Sequence, residues 1–179
     1  MDRPLWVFAY GSLIWDPGFV FAERQRATLG GWRRSFCMHS IHYRGTVDEP
    51  GLVLALDAEA EASCNGVAYR VADDLAEPTV GYLRDRELIS SAYHEAWLPI
   101  RLEKGPRVTA LTFIINRDHD QYAGALPVED QVRVIAERAG IKGPNADYLY
   151  STAAHLTELG ISDADLDALA LQVRKRRGD

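Results

Sequence analysis

The feature that most constrains this chain is a change of hydrophobic period along its length. Over the first two-thirds, short stretches rich in apolar and β-branched residues recur between Gly and Pro. Their spacing predicts strands over 5–8, 34–39, 51–56, 66–71, 97–102 and 108–115. Val67, Tyr69 and Val71 alternate with period two, as do Thr109, Leu111, Phe113 and Ile115. Asp16-Pro17-Gly18, Gly30-Gly31, Glu49-Pro50-Gly51 and Gly105-Pro106 mark the gaps. The last third shifts to helical spacing. Val128, Val132, Ile135 and Ala139 form one stripe that stops at Gly140, with Glu129 and Asp130 early. Asn145 is placed to cap a helix carrying Leu149, Ala153 and Leu156, closed by Gly160. Ser162 is placed to cap a third with Leu166, Leu169, Ala170 and Val173 on one face. One more helix, over about 78–88, interrupts the strands. Strands followed by helices indicate an α+β fold. With 179 residues, no internal repeat and no linker, the expectation is a single domain over 1–179.

Charge and cysteine usage exclude several classes. The formal net charge is −6, and no basic stripe runs along any predicted element, so a nucleic-acid partner is not expected. The basic run Arg174-Lys175-Arg176-Arg177 reads as a solvated helix end favoured by the macrodipole. No apolar run approaches the roughly 18 residues that cross a bilayer, so no membrane partner is expected. Cys37 and Cys64 form neither a disulfide framework nor a Cys-x-x-Cys pair, and they read as small core residues of a reduced, cytoplasmic protein. His39 and His42 fall on opposite faces of an extended segment, and no metal-ligand set appears at a recognised spacing. No phosphate-binding glycine loop of Walker or dinucleotide type is present. The sequence carries no signal for oligomeric state.

Two places carry chemistry. The first is Val7-Phe8-Ala9-Tyr10-Gly11-Ser12-Leu13-Ile14-Trp15, an apolar run that breaks at Gly-Ser. Glycine lets the backbone turn and approach a ligand, and the amides of Gly11, Ser12 and Leu13 can form a small donor nest for an oxygen. Ser12 lacks the Gly-x-Ser-x-Gly setting of a serine nucleophile. The second is Glu87. Val80, Leu83 and Glu87 fall at i, i+3 and i+7 of the inner helix, so a carboxylate shares the apolar face. Burial and the helix C-terminus both push such a carboxyl above its usual pKa of about 4.3, toward the range of a general acid/base. The alternative is a helix-end residue paired with Arg84 or Arg86. Asp85 lies off the stripe, and Glu95 falls in a stretch without clear period.

Taken in order, these segments resemble the ChaC-like γ-glutamylcyclotransferases, nearer their bacterial branch, over almost the whole chain. The matching pieces are residues 7–15 as quoted, Gly31-Trp32-Arg33-Arg34-Ser35-Phe36-Cys37, Arg44-Gly45-Thr46, Glu49-Pro50-Gly51 and Gly66-Val67-Ala68-Tyr69. Arg86-Glu87, Gly143-Pro144-Asn145-Ala146-Asp147-Tyr148-Leu149 and Leu159-Gly160-Ile161 complete them. The resemblance implies a γ-glutamylcyclotransferase-like mixed β-barrel with flanking helices. It implies glutathione as the small-molecule substrate, released as 5-oxoproline and Cys-Gly, with no metal or organic cofactor. It implies that Ala9, Tyr10, Gly11, Ser12, Leu13 and Ile14 form the γ-glutamyl-binding loop and that Glu87 is the catalytic acid/base. Tyr10 either positions substrate through its hydroxyl or packs. Arg44 either pairs with the glycine carboxylate of glutathione or stabilises its own turn. Two departures are visible: Ser90-Ser91-Ala92-Tyr93-His94-Glu95 replaces a pattern with glycine and proline after Arg-Glu, and Tyr43 stands where the eukaryotic branch has histidine. The alternatives are a cyclotransferase for other γ-glutamyl amino acids or amines, and a non-enzymatic regulator of cation transport.

Overall fold

The computed structural model describes residues 3–179. The chain divides into two compact units. One comprises the residues up to Arg34 together with Leu56–His119; the other comprises Ser35–Ala55 with Asp120–Asp179.

Five strands form a closed barrel: β1 (Trp6–Ala9), β2 (Glu23–Ser40), β3 (Gly51–Arg70), β4 (Tyr93–Leu102) and β5 (Arg107–Ile115), ordered β1-β3-β2-β4-β5. β2 and β3 contribute residues to both units. β1 completes the barrel. It runs antiparallel to β3, with Trp6 opposite Arg70 and Ala9 opposite Val67, and parallel to β5, with Val7 opposite Leu111. A strand covered on both faces needs no polar alternation, and all four residues of β1 are buried. The fully buried Thr112 hydroxyl donates to the Phe8 carbonyl at 3.0 Å. The segments expected at 51–56 and 66–71 are the two ends of one long strand, β3. The stretch between them is extended but largely exposed and polar, so it lacks the apolar signal that marks a buried strand. The N-terminal half of β2 likewise begins with exposed polar residues, and its buried Ala27 and Leu29 are too few to mark a strand.

After a 3-10 turn at Asp73–Leu75, helix α1 (Ala76–Glu87) buries Ala76, Thr79, Val80 and Leu83. Pro78 lies inside its first turn, where a missing N–H breaks no helical bond. In the turn that follows, Ser91 has φ +57°, a left-handed conformation at the site of the serine pair that departs from the glycine pattern.

The second unit is largely helical. Helix α2 (Val128–Glu137) buries Val132, Ile135 and Ala136. It ends before Gly140, because Ala139–Gly140 (β6) pairs instead with Gly143–Pro144 (β7). Helix α3 (Asn145–Glu158) ends at Gly160, whose φ is +67°, with the Ile161 amide bonded back to the Leu156 carbonyl. Helix α4 (Ala164–Arg177) is capped by Asp163, one residue later than expected; its carboxylate accepts from the Leu166 amide at 3.1 Å.

One expectation changes here. Asn145 does not cap α3. Its side chain is fully buried and pairs with the backbone of Leu52 as a neighbouring strand would. Oδ1 accepts from the Leu52 amide and Nδ2 donates to the Leu52 carbonyl, each at 2.7 Å. Gly51 is required for this approach, since a Cβ there would lie 2.8 Å from Asn145 Oδ1 and 2.1 Å from the Arg44 carbonyl oxygen. The basic run ending α4 is exposed, as expected of a solvated helix end, and makes surface contacts. Arg174 covers the Tyr150 ring at 4.1 Å, Arg176 pairs with Glu137, and Arg177 donates to the Ala136 carbonyl.

Asn145→Ala leaves a buried amide and a buried carbonyl unpaired, and is expected to cost about 2–4 kcal/mol, read as a lower urea midpoint. Ser91→Gly relieves a left-handed serine and is expected to gain about 1 kcal/mol in the same measurement.

Candidate active site

The site begins where β1 ends. Ala9 is its last residue, Tyr10 and Gly11 leave the barrel, and Ser12–Ile14 form a single 3-10 turn. Leu13 and Ile14 are buried, so the turn's carbonyls need protein partners. Gly11 accepts from the Ile14 amide at 2.9 Å, and Ser12 accepts from Trp15 and Asp16 at 3.2 and 2.9 Å. Side chains satisfy the others. Arg34 of β2 donates to the Tyr10 carbonyl at 3.0 Å while its guanidinium also holds the Asn65 carbonyl of β3. The Tyr69 hydroxyl of β3 reaches the carbonyls of Leu13 and Ile14, both at 3.0 Å. Burial pushes the Tyr69 phenol above its ordinary pKa, with Arg24 opposing, so it keeps its proton for these bonds. Phe19 and Phe21 pack on its ring at centroid distances of 5.6 and 4.8 Å.

Every carbonyl from Tyr10 to Ile14 is thereby occupied. The amides of Gly11, Ser12 and Leu13 precede the first backbone hydrogen bond of the turn, which is made by the Ile14 amide. Tyr10 anchors the same turn from below: its hydroxyl donates to the Phe113 carbonyl of β5 at 2.8 Å. That bond takes its single hydrogen, leaving the oxygen as an acceptor.

Glu87 ends α1 on the same face as Val80 and Leu83, which are 4% and 0% exposed, and its own side chain is 18% exposed. Its carboxylate lies 3.2 Å from Arg86 Nε. The Arg86 guanidinium extends to the loop, donating to the Ser12 hydroxyl at 3.3 Å and the Asp16 carbonyl at 2.8 Å, and it also donates to the Tyr82 hydroxyl at 3.0 Å. Burial opposes its charge, but the Tyr82 hydrogen bond and the charges of Glu87, Tyr82 and Asp16 outweigh it and leave the pKa raised. Tyr82 lies over Gly18, where a Cβ would fall 1.9 Å from its hydroxyl oxygen.

The rival carboxylates are differently placed. Glu95 on β4 receives two hydrogen bonds from Arg84, at 2.6 and 2.9 Å, and one from Trp97 at 3.0 Å. The Arg84 hydrogen bonds, against some desolvation, hold it below the usual carboxylate range. Asp85 is exposed.

The loop residues Ala9 to Ile14 and Glu87 therefore come together in one unit. Arg44 belongs to the other. Its Nη1 donates to the carbonyls of Lys142 and Pro144 at 2.6 and 3.1 Å, and its guanidinium lies 5.8 Å from the Tyr148 ring centroid. Desolvation lowers its pKa, with Asp147 and Tyr148 opposing. Cys37 and Cys64 are buried and not joined in a disulfide. Among the described residues no cluster of three or more His, Cys, Asp or Glu is arranged to hold a metal, and no helix is long and apolar enough to cross a membrane. Sequence reasoning singled out neither Arg34 nor Tyr69 as loop clamps, although both lie within motif segments.

This barrel, with its clamped first turn and a helix-end glutamate beside it, is the γ-glutamylcyclotransferase fold. A yeast glutathione-specific γ-glutamyl cyclotransferase crystal structure superposes with a TM-score of 0.88 at 24% identity, covering 97% of each chain. The family model described as ChaC-like protein matches residues 5–176, and the chain belongs to that family. It is 37% identical over 174 residues to a glutathione-specific γ-glutamylcyclotransferase of Escherichia coli, covering 97% of this chain and 74% of that protein. It is 34% identical to γ-glutamylcyclotransferase 2-3 of Arabidopsis thaliana, covering 95% and 88%.

Tyr69→Phe removes the hydrogen shared by the Leu13 and Ile14 carbonyls. It is expected to cost about 1–3 kcal/mol in thermal unfolding and to weaken binding of γ-glutamyl ligands measured by calorimetry. Unchanged affinity would show that the loop does not need this clamp.

Proposed function

We propose that this chain is a cytoplasmic glutathione-specific γ-glutamylcyclotransferase, a lyase that converts glutathione to 5-oxoproline and Cys-Gly. The observation that carries the mechanism is the span of one guanidinium: Arg86 touches both the Ser12 hydroxyl and the Glu87 carboxylate. The donor-rich turn and a proton-accepting group thus lie on either side of one planar side chain. Family membership and the Escherichia coli relative support the choice of substrate.

The chemistry suits so small a site. The α-amino nitrogen of the glutamyl group attacks its own γ-carbonyl carbon. The C–N bond to cysteine then breaks, and a five-membered lactam leaves together with a free amine. No water is consumed; the α-nitrogen gives up two of its three ammonium protons as it becomes the lactam N–H, and both end on the departing nitrogen, which leaves as an ammonium. The two reacting groups are already in one molecule, and oriented intramolecular reactions reach effective molarities of roughly 10⁵–10⁸ M. The protein has to fold the glutamyl chain and move the protons. An α-amine with a pKa near 8 is mostly protonated at neutral pH. Glu87, entering as carboxylate, takes the first proton so that the amine can attack and gives it to the Cys-Gly nitrogen as the C–N bond breaks; as a carboxylate again it takes the second from the ring nitrogen and passes it to the freed amine. The amides of Gly11, Ser12 and Leu13 hold a substrate oxygen, either the α-carboxylate or the oxyanion that develops on the γ-carbon.

The chain is also proposed to work as a single domain, because β2 and β3 each contribute to both compact units. Calorimetry is expected to show one cooperative transition; two separable transitions would overturn this.

Purified protein incubated with glutathione is expected to yield equimolar 5-oxoproline and Cys-Gly by mass spectrometry. Glu87→Gln nearly preserves shape and is expected to lower kcat about 10²–10⁴-fold. Turnover within tenfold of wild type would remove Glu87 from the mechanism. Turnover of γ-glutamyl dipeptides or amines in preference to glutathione would reassign the substrate, and no cyclic product from any γ-glutamyl compound would favour the regulator.

A further inference from the structure

We infer that Arg86 is a positioning residue that sets the Glu87 carboxylate against the N-terminal turn, an inference that rests on the proposed acid/base role of Glu87.

Arg86 is only 20% exposed, and its fork is distributed over two elements. Nε faces the Glu87 carboxylate at 3.2 Å. Nη1 donates to the Asp16 carbonyl at 2.8 Å and to the Tyr82 hydroxyl at 3.0 Å. Nη2 donates to the Ser12 hydroxyl at 3.3 Å, with the Asp16 carboxylate at 3.8 Å. A planar guanidinium with five fixed N–H donors can hold such a set; a lysine ammonium concentrates three donors at one point and cannot. Glu87 needs such a tie because it is the last residue of α1, where the helix no longer constrains the chain on its far side. The Tyr82 hydroxyl, one turn back on α1, fixes the guanidinium plane.

The effect of losing Arg86 should fall on one kinetic constant. The turn has independent clamps in Arg34 and Tyr69, so it keeps its shape and its substrate affinity without Arg86. The carboxylate loses its tie to the turn. Small misplacements of a reacting group reduce rate steeply.

The test is steady-state turnover of glutathione by Arg86→Gln, Arg86→Lys and Tyr82→Phe, with unfolding midpoints recorded alongside. Arg86→Gln is expected to lower kcat at least thirtyfold while KM changes less than threefold. Arg86→Lys keeps a cation beside Glu87 and is expected to recover part of that loss but not all. A purely structural tie to the loop would raise KM and leave kcat; that result, or kcat within threefold of wild type in Arg86→Gln, overturns the inference. Should the Arg86 variants fail to fold, Tyr82→Phe decides. A threefold or greater fall in kcat at constant KM supports the inference, and unchanged kcat overturns it. If Glu87→Gln keeps full activity, the acid/base reading fails. If Glu87→Gln is inactive while Arg86→Gln is not, only the present inference fails.

Discussion

A buried turn has to give its carbonyl oxygens to something, and the rest of this site follows from how that requirement is met. Residues 10–14 leave a barrel strand and pack Leu13 and Ile14 inward, so water cannot serve their backbone. Arg34 and Tyr69 reach in from β2 and β3 and take the carbonyls that the 3-10 turn does not bond itself. With these acceptors occupied, the proposed chemistry draws on the other half of the same backbone, the amides of Gly11, Ser12 and Leu13, to hold an anionic or developing negative oxygen. This is why residues remote in sequence, none of them touching substrate in the proposed chemistry, matter to it.

The same accounting separates two glutamates that lie near one another in sequence. Glu95 is gripped by both ends of the Arg84 fork and by Trp97, an arrangement that stabilises it as a fixed anion on the outside of a strand. Glu87 lies 3.2 Å from Nε of Arg86, whose other nitrogens donate to the turn and to Tyr82. A doubly held carboxylate is a strut. Glu87 stands at the end of a helix and shares its arginine with the turn. Ion-pair geometry, more than burial, distinguishes the two.

Much of the architecture was legible because it rests on local pattern. The period-two run from Thr109 to Ile115 lies in β5, and the stripe of Val132 and Ile135 lies on the buried face of α2. Val80 and Leu83 are buried on α1 as their spacing required, and Glu87 shares their face. What escaped was structure whose cause is not local. The exposed middle of β3 is extended because its neighbours are strands, and no large apolar residue there announces it. Asn145 carried a capping signal, yet the backbone of Leu52, far away in the chain, competes for the same side chain and takes it. The cap of α4 moved by one residue for a smaller reason, since Ser162 and Asp163 are both good caps and the fold chose between them.

By itself the sequence determined the α+β class, the buried faces of the helices, the glycine break after β1 and the presence of a carboxylate on an apolar stripe, because periodicity and side-chain chemistry are properties of neighbouring residues. Only the tertiary structure decided that β1 closes a barrel, that Arg34 and Tyr69 hold the turn, and that Arg86 joins that turn to Glu87. Hydrogen-bond partners separated by tens of residues are selected by which backbone groups burial leaves unpaired, and that is known only once the chain has folded.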